Sequence, residues 1–159
     1  MIYFAYGSNM SHPRLANRID VVEKIGIHEL KGYQLKFHMH GQDDSAKCDA
    51  HFTGNKAHSV LGVLFRINPL HREILDVYEG LGVGYERYEF DVEHLNKPAF
   101  LYTAKKINTD LRPFCWYKHH VVHGAIEANL PESYINSIRS VADLNDKDEA
   151  RRKKEMSIY

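Results

Sequence analysis

The stretch of sequence that decides the fold is Tyr3-Phe4-Ala5-Tyr6-Gly7-Ser8-Asn9. Its apolar and aromatic residues predict a buried strand over residues 2–6, and the turn residues that follow predict a tight loop. Gly7 allows another molecule to approach the backbone closely, and Ser8 and Asn9 add a hydroxyl and an amide. Such a loop can present backbone N–H groups to a carboxylate or a developing oxyanion. The same residues are also typical of a plain turn that ends a strand and caps a helix, so both interpretations stay open here.

Strand patterns continue through the first two thirds of the chain, and helix patterns dominate the last third. Further strands are predicted over residues 21–30, 32–39, 48–53, 60–67, 85–92 and 100–104. Gly62, inside one of these runs, indicates a bulge or a close backbone approach. Helices are predicted over residues 13–17, 68–78, 114–127 and 131–141. This order predicts an α+β fold, in which a small mixed β-barrel is surrounded by helices.

The composition limits what the chain can bind. The 159 residues predict one domain over residues 1–140, followed by a charged tail over residues 141–159 that is helical or frayed. The 21 basic and 21 acidic side chains balance, which argues against nucleic acid or an anionic membrane as a partner. No apolar run is long enough to span a bilayer. The two cysteines, Cys48 and Cys115, are typical of reduced thiols, so we expect a cytoplasmic protein whose oligomeric state stays open.

Glu79 is the carboxylate that the pattern singles out for chemistry. Asn68 and Pro69 are typical of a helix start and Gly80 of a helix end, so Glu79 lies in the last turn of the predicted helix. The negative end of the helix dipole, combined with partial burial, is expected to raise the pKa of a carboxyl group there. A raised pKa suits a group that shuttles a proton near neutral pH. A solvated glutamate before a helix-stopping glycine fits the same pattern.

Two histidine pairs raise the possibility of a metal site. His119 and His123 would share one face of a helix, and His38 and His40 would share one face of a strand. Neither pair has a third ligand beside it in the sequence, so we predict no metal site. No motif supplies a serine nucleophile together with its base.

Four segments together resemble the γ-glutamylcyclotransferase family. Residues 3–9 resemble its substrate-binding loop, and residues 75–85 resemble the segment that holds its catalytic glutamate. Residues 100–102 resemble the strand whose tyrosine lines the cavity, and residues 117–131 resemble a helix and the turn after it. The segments occur in the family's order.

The resemblance implies a fold, a reaction and a set of site residues. The fold is a small mixed barrel with helices packed around it. In the reaction, the free α-amino group of a small γ-glutamyl amide attacks its own γ-carbonyl. This forms 5-oxoproline and releases an amine or amino acid, and it requires no cofactor and no metal. Glu79 would be the catalytic proton shuttle, and the substrate would be bound by Tyr3, Phe4, Ala5, Tyr6, Gly7, Ser8, Asn9, Tyr85 and Tyr102.

Two alternatives stay open beside this enzyme. A non-catalytic module could bind a small acid in the same pocket, and a hydrolase could use a metal held by His119 and His123. The motifs do not identify the leaving amine or amino acid, because members of one fold family act on different molecules.

Overall fold

The computed structural model describes residues 1–19 and 23–159, which contain seven strands and five α-helices. The strands are β1 (Ile2–Ala5), β2 (Glu23–Lys31), β3 (Tyr33–His40), β4 (Ala46–Phe52), β5 (Ser59–Arg66), β6 (Tyr85–Val92) and β7 (Lys97–Ala104). The helices are α1 (His12–Ala16), α2 (Pro69–Glu79), α3 (Cys115–Glu127), α4 (Glu132–Arg139) and α5 (Glu149–Met156). The strand predicted over residues 21–30 corresponds to β2, and its first two predicted residues lie outside the described residues. None of the helices in the described part of the chain has the length and apolar content needed to cross a membrane.

The opening strand, β1, lies at the centre of a five-stranded sheet in the order β2-β5-β1-β7-β6. It pairs antiparallel with β5 and parallel with β7, and all four of its side chains are buried. Because β1 and β7 run in the same direction, both strands end at the same edge of the sheet. The loop after β1, which contains a short 3-10 turn over Ser8–Met10, therefore starts at the middle of that edge.

The α+β class is confirmed, but the described strands do not close into the predicted barrel. β3 and β4 form a separate hairpin, and β2 and β6 are the two edges of the larger sheet. The hairpin contacts the end of β7 without a continuous ladder, and the Ala104 amide donates to Asp49 Oδ1 at 2.7 Å. Alternating patterns identify strands, but they do not specify which strand edges pair.

Helix α2 begins and ends as the sequence predicts. The Asn68 side chain accepts a hydrogen bond from the Leu70 amide, and Gly80 ends the helix in the left-handed conformation, with φ of 63°. Only Leu75 is buried, and the apolar stripe of the helix is exposed at Leu70, Ile74, Val77 and Tyr78. Polar contacts therefore fix the C-terminal turn. Asp76 accepts hydrogen bonds from Arg87 at 2.8 Å and from the Tyr102 hydroxyl at 2.7 Å.

Two glycines allow other segments to contact β1 and its loop directly. A Cβ atom on Gly62 of β5 would lie 2.4 Å from the Ala5 carbonyl oxygen, which confirms the close backbone approach predicted there. A Cβ atom on Gly124 of α3 would lie 2.4 Å from the Ser11 amide nitrogen and 2.7 Å from the Met10 carbonyl carbon. Helix α3 thus packs directly on the backbone of the loop that follows β1.

The charged segment at the end of the chain packs on the rest of the fold. Asp146 accepts a hydrogen bond from the Trp116 indole at 2.8 Å and forms an ion pair with Arg151 at 2.6 Å. Glu155 of α5 forms an ion pair with Arg14, whose side chain is buried. Helix α5 occupies the middle of this segment, and its partners on α1 and α3 hold it in place.

Candidate functional site

A small chamber lies where the ends of β1 and β7 meet the last turn of α2. Its volume is about 30 Å³, which is room for about one water molecule. It is lined by Tyr3, Tyr6, Gly7, Ser8, Asn9, Cys48, Glu79, Tyr85, Tyr102 and Tyr117. The fold therefore brings Glu79 and residues 7–9 together, although about 70 residues of sequence separate them.

The Glu79 carboxylate contacts an amide and a guanidinium. Its Oε1 accepts hydrogen bonds from Asn9 Nδ2 at 3.0 Å and from an Arg18 guanidinium nitrogen at 2.9 Å. The Arg18 guanidinium also lies over the Tyr78 ring, 5.0 Å from its centroid. Only 16% of the Glu79 side chain is exposed, so this ion pair is largely shielded from solvent. A charge pair of this kind is worth more than one at the open surface.

Asn9 connects the loop to both sides of the chamber. Besides its bond to Glu79, its Nδ2 donates to the Tyr3 hydroxyl at 3.0 Å. Its Oδ1 is buried and has no hydrogen-bond partner within the described residues. The backbone N–H groups of Gly7, Ser8 and Asn9 likewise donate to no group in residues 1–19 or 23–159. Because buried polar groups are normally paired, these groups are available to a bound ligand or to water.

Three of the predicted tyrosines use their hydroxyls to hold the chamber together. The Tyr6 hydroxyl donates to the Tyr102 carbonyl, and the Tyr85 hydroxyl donates to the Cys48 carbonyl at 2.6 Å. The Tyr102 hydroxyl donates to Asp76, as described above. Burial raises the pKa of all three phenols, so they remain neutral. Their contribution is therefore shape and rigidity.

Cys48 and Tyr117 complete the chamber, and neither was predicted from the sequence as a site residue. The Tyr117 hydroxyl accepts a hydrogen bond from the Cys48 amide at 3.0 Å, which ties α3 to β4. Burial raises the pKa of the Cys48 thiol to about 12. Since the thiolate is the nucleophilic form, Cys48 is not poised for covalent chemistry at neutral pH.

Two of the predicted substrate-binding residues do not line the chamber. Phe4 points to the opposite side of the sheet from Tyr3, because side chains alternate along a strand. Its ring lies 5.6 Å from that of His28 and 5.7 Å from that of Phe90. Ala5 is fully buried and pairs with Val63 in the sheet.

The chamber adjoins a larger cleft of about 330 Å³, and Ser8, Glu79, Tyr85 and Tyr117 line both spaces. Charged side chains at this cleft include five cations and three anions, namely Arg14, Arg18, Lys47, Lys106, Arg151, Asp43, Glu79 and Glu155. The Lys47 ammonium pairs with Asp43 at 2.7 Å and lies 4.8 Å from the centroid of the Tyr117 ring. Arg14, Arg18, Lys47 and Arg151 each pair with a carboxylate, so within the described residues Lys106 is the cation of this cleft without an ion pair. Its charge favours a ligand that carries a carboxylate.

The C-terminal segment lines one side of this cleft through Arg151 and Glu155. His120 of α3 forms hydrogen bonds that fix this segment in place. The ring of this buried histidine donates through Nε2 to Glu155 at 3.0 Å, and its Nδ1 lies 2.8 Å from the Tyr159 hydroxyl. Burial lowers the pKa of His120 to about 4, so the ring is neutral at neutral pH. Burial also disfavours the charge on Glu155, but its contacts with His120 and Arg14 outweigh that effect and lower its pKa to about 2.

We expect the free energy of unfolding to fall by up to about 2 kcal/mol between about pH 7 and about pH 5 because of His120. The pKa of this histidine is 6.5 unfolded and about 4 folded, so the unfolded chain binds a proton in this range that the folded chain does not. Urea unfolding at the two pH values measures the loss. His120→Gln should reduce the difference, whereas His12→Gln, at an exposed histidine, should preserve it. An equal pH dependence in all three proteins would contradict this assignment.

The side chains of the predicted pair His38 and His40 bond to different carboxylates. His38 bonds Asp49 at 2.8 Å and His40 bonds Asp44 at 2.8 Å. A register shift in β3 between Phe37 and Met39 breaks the alternation that was expected to place the two rings on one face.

The other pair, His119 and His123, does lie on one side of α3, with ring centroids 6.2 Å apart. The Tyr159 ring stacks on His123 at 3.9 Å, and the described residues form no three-ligand group around this pair.

The model of the AIG2-like family matches residues 59–138, which cover β5 through α4 and include Glu79. Among solved structures, one titled gamma-glutamyl cyclotransferase is 21% identical, with a TM-score of 0.81 over 97% of this chain and 98% of that one. An uncharacterized protein from Homo sapiens is 22% identical, with a TM-score of 0.78 over 96% and 97%. YkqA from Bacillus subtilis is 21% identical, with a TM-score of 0.70 over 91% of this chain and 56% of that one. At these identities the likeness shows a shared fold. No curated protein matches the sequence.

Proposed function

Because the chain belongs to the AIG2-like family, we propose that it is an enzyme that converts a small γ-glutamyl amide to 5-oxoproline and releases an amine or amino acid. The observation that carries this proposal is the Glu79 carboxylate, held 3.0 Å from the Asn9 amide where the chamber meets the cleft. The structure titled gamma-glutamyl cyclotransferase, which has the same fold, supports the same reaction class. Fold alone does not select a substrate, so the reaction is argued from the site.

The available volumes suggest where the substrate would lie. The chamber, at about 30 Å³, admits little more than one or two ligand atoms, whereas the cleft, at about 330 Å³, can hold a small molecule. The glutamyl chain would therefore bind in the cleft, with one oxygen directed into the chamber. There the unpaired N–H groups of Gly7, Ser8 and Asn9 could bind a carboxylate or the oxyanion of the tetrahedral intermediate.

Glu79 would act as the proton shuttle. The α-ammonium group of the substrate must lose a proton before its nitrogen can attack, and the Glu79 carboxylate lies within hydrogen-bond distance of the loop. The unpaired Asn9 Oδ1 could accept a second hydrogen bond from the same amine. The new bond joins the α-nitrogen to the γ-carbonyl carbon. The amide bond to the leaving nitrogen then breaks, and that nitrogen takes up the proton from Glu79. The second proton that the α-nitrogen loses as the lactam forms follows through the same carboxylate, so the amine leaves as an ammonium ion.

This scheme needs no nucleophile from the protein and consumes no water. The protonated Cys48 thiol and the neutral tyrosines around it agree with that requirement. Much of the acceleration would come from holding the flexible glutamyl chain in a ring-closing conformation.

The reaction is tested by mass spectrometric detection of 5-oxoproline after incubation with γ-glutamyl amino acids and γ-glutamyl alkylamines. We expect 5-oxoproline and the free amine in equal amounts from at least one of these compounds. An N-acetylated γ-glutamyl amide is the matched control, because its blocked nitrogen cannot attack. Release of amine from the acetylated compound, with glutamate derivatives in place of 5-oxoproline, would identify a hydrolase and contradict the proposal.

A second candidate function is supported by the charge of the cleft. Lys106 lines the cleft without an ion pair in the described residues, and its charge favours an acidic ligand whether or not that ligand reacts. A module that only binds a small dicarboxylate or an acidic amino acid would release no 5-oxoproline from any compound of the panel. Calorimetric titration with glutamate and related acids would then show saturable binding that is lost in Arg18→Gln.

A further inference from the structure

A second cluster of chemically active side chains lies on the β3–β4 hairpin. It consists of His38, Asp49 and His51, whose candidate ligand atoms all lie within 4.8 Å of one another. His38 Nε2 is 2.8 Å from Asp49 Oδ2, and His51 Nδ1 is 3.8 Å from the same oxygen. The side chains of His38 and Asp49 are almost fully buried, whereas 45% of the His51 side chain is exposed. The proton shuttle described above does not use this cluster.

The local fold explains how the three side chains meet. Residues 49 and 51 lie on one face of β4, because side chains two positions apart point to the same side of a strand. Cys48 points to the other side, where it lines the Glu79 chamber. In β3, the register shift between Phe37 and Met39 directs His38 toward Asp49. Such bulges commonly reorient a side chain at a functional position.

The distances within the cluster suit a metal ion. Bonds of 2.0–2.1 Å from Zn²⁺ to histidine nitrogen and carboxylate oxygen place tetrahedral ligand atoms about 3.3 Å apart. The separations from Asp49 Oδ2, 2.8 Å to His38 and 3.8 Å to His51, lie on either side of that value. A shift of about half an ångström at each of these two contacts would bring them to that value. The ligand nitrogens of His38 and His51 lie within 4.8 Å of each other, and the exposed His51 has the freedom to move closer.

The second carboxylate oxygen of Asp49 is held by a hydrogen bond, as is usual for carboxylates that bind a metal ion. Its Oδ1 accepts a hydrogen bond from the Ala104 amide at 2.7 Å, which fixes the carboxylate and leaves Oδ2 directed toward the two histidines. Groups of this kind orient the ligands of metal sites and are part of their affinity. On the open side, Asp49 and His51 line a cleft of about 470 Å³, whose aromatic residues are Tyr33, Phe52 and Tyr88.

We propose that His38 Nε2, Asp49 Oδ2 and His51 Nδ1 bind one divalent transition-metal ion, such as Zn²⁺. Two imidazoles and one carboxylate form a ligand set that suits Zn²⁺, Co²⁺ and Ni²⁺ and that disfavours Mg²⁺ and Ca²⁺. The fourth position faces the cleft and is open to water or to a small ligand. Binding displaces the hydrogen bond between His38 and Asp49, and the proton on His38 Nε2 is either released or transferred to Nδ1.

The alternative is a structural histidine–carboxylate hydrogen bond with His51 nearby by chance. That pair would hold the hairpin against β7 without any ion, because Asp49 already contacts both His38 and Ala104. The two explanations differ in the part played by His51, which has no role in the structural pair. A variant at this exposed position removes a metal ligand and leaves the contacts between Asp49, His38 and Ala104 in place.

The test is calorimetric titration of the metal-free protein with Zn²⁺ alone, accompanied by the visible absorption of the protein with Co²⁺. We expect one ion per chain and a Co²⁺ spectrum typical of four-coordinate nitrogen and oxygen ligands. His51→Ala should weaken the affinity by at least about tenfold. Asp49→Asn, which keeps an oxygen for the Ala104 amide, should weaken it further.

His123→Ala is the matched control, because it removes a histidine from the other predicted pair and should leave the affinity unchanged. Failure of the wild-type protein to bind Zn²⁺, or equal binding by His51→Ala, would overturn the proposal. Loss of binding in His123→Ala would move the site to α3 and would overturn it as well. The test uses the metal ion as its only probe, so its outcome does not depend on the cyclisation reaction.

Discussion

Replacement of Glu79 by glutamine is expected to lower the rate of 5-oxoproline release by about 10²–10⁴-fold, the range that general acid–base catalysis contributes. Glutamine keeps an oxygen that can accept from Asn9 and Arg18, so the contacts that position the last turn of α2 survive. It cannot take a proton from the α-ammonium group of the substrate. The rate constant at saturating substrate should therefore fall, while the Michaelis constant changes little.

The control for this variant is Glu73→Gln, at an exposed glutamate on the same helix. It removes one negative charge from α2 without touching the chamber, so it should retain full activity. Thermal unfolding of Glu73→Gln should match that of the wild type, whereas Glu79→Gln should unfold at a somewhat lower temperature, because it loses the charge that pairs with Arg18. A Glu79→Gln protein that is folded and fully active would exclude Glu79 from proton transfer.

Gly124→Ala is expected to lower the free energy of unfolding by about 1–3 kcal/mol and to reduce activity as well. Its new methyl group would lie 2.4 Å from the Ser11 amide nitrogen, and no real Cβ contact is that short. Helix α3 would have to move away from the loop, and overpacking of this kind costs energy because the neighbours are backbone atoms. Movement of residues 7–11 would also displace Asn9 relative to Glu79.

Gly26→Ala provides the comparison for this prediction. A Cβ atom at Gly26 would meet no atom within 4 Å, so the stability of this variant should match that of the wild type. Urea unfolding measures the stability difference, and 5-oxoproline release at 25 °C measures the activity of the folded fraction. Equal stability of the Gly124 and Gly26 variants would mean that α3 and the loop can separate without cost.

The elements that short-range patterns encode were predicted well. The start and end of α2 follow from Asn68, Pro69 and Gly80, whose conformational preferences are local. Strand β1 follows from an uninterrupted apolar run, which is typical of a central buried strand. The family resemblance, which rested on residues 3–9, 75–85, 100–102 and 117–131, is confirmed by the match to the AIG2-like family.

The features that were missed depend on contacts between distant parts of the chain. Arg18 follows a short helix as a single basic residue, and nothing in its neighbourhood indicates that it reaches Glu79. Tyr117 and Cys48 lie in unremarkable positions of α3 and β4, and only the packing of helix on hairpin makes them neighbours. The prediction of a closed barrel was wrong for the same reason. Which strand edges pair depends on contacts between distant segments, and the sequence pattern does not specify them.

The charged composition of the C-terminal tail does not indicate its specific contacts with the rest of the fold. A run of mixed charges is usually a solvated helix, and α5 is indeed rich in charge. Its specific contacts come from Glu155, whose partners Arg14 and His120 are both buried. A buried arginine has no periodic signature in the sequence, so the interaction could not be predicted.

The reactivity of the buried Cys48 thiol can be used to measure opening of the β3–β4 hairpin. Alkylating reagents react with thiolates that solvent can reach, and Cys48 is neither ionised nor accessible while β4 remains in place. Covalent labelling at this position therefore requires β4 to separate transiently from Tyr85 and Tyr117. The labelling rate, compared with that of the partly exposed Cys115, would measure how often the native protein opens at this point without unfolding as a whole.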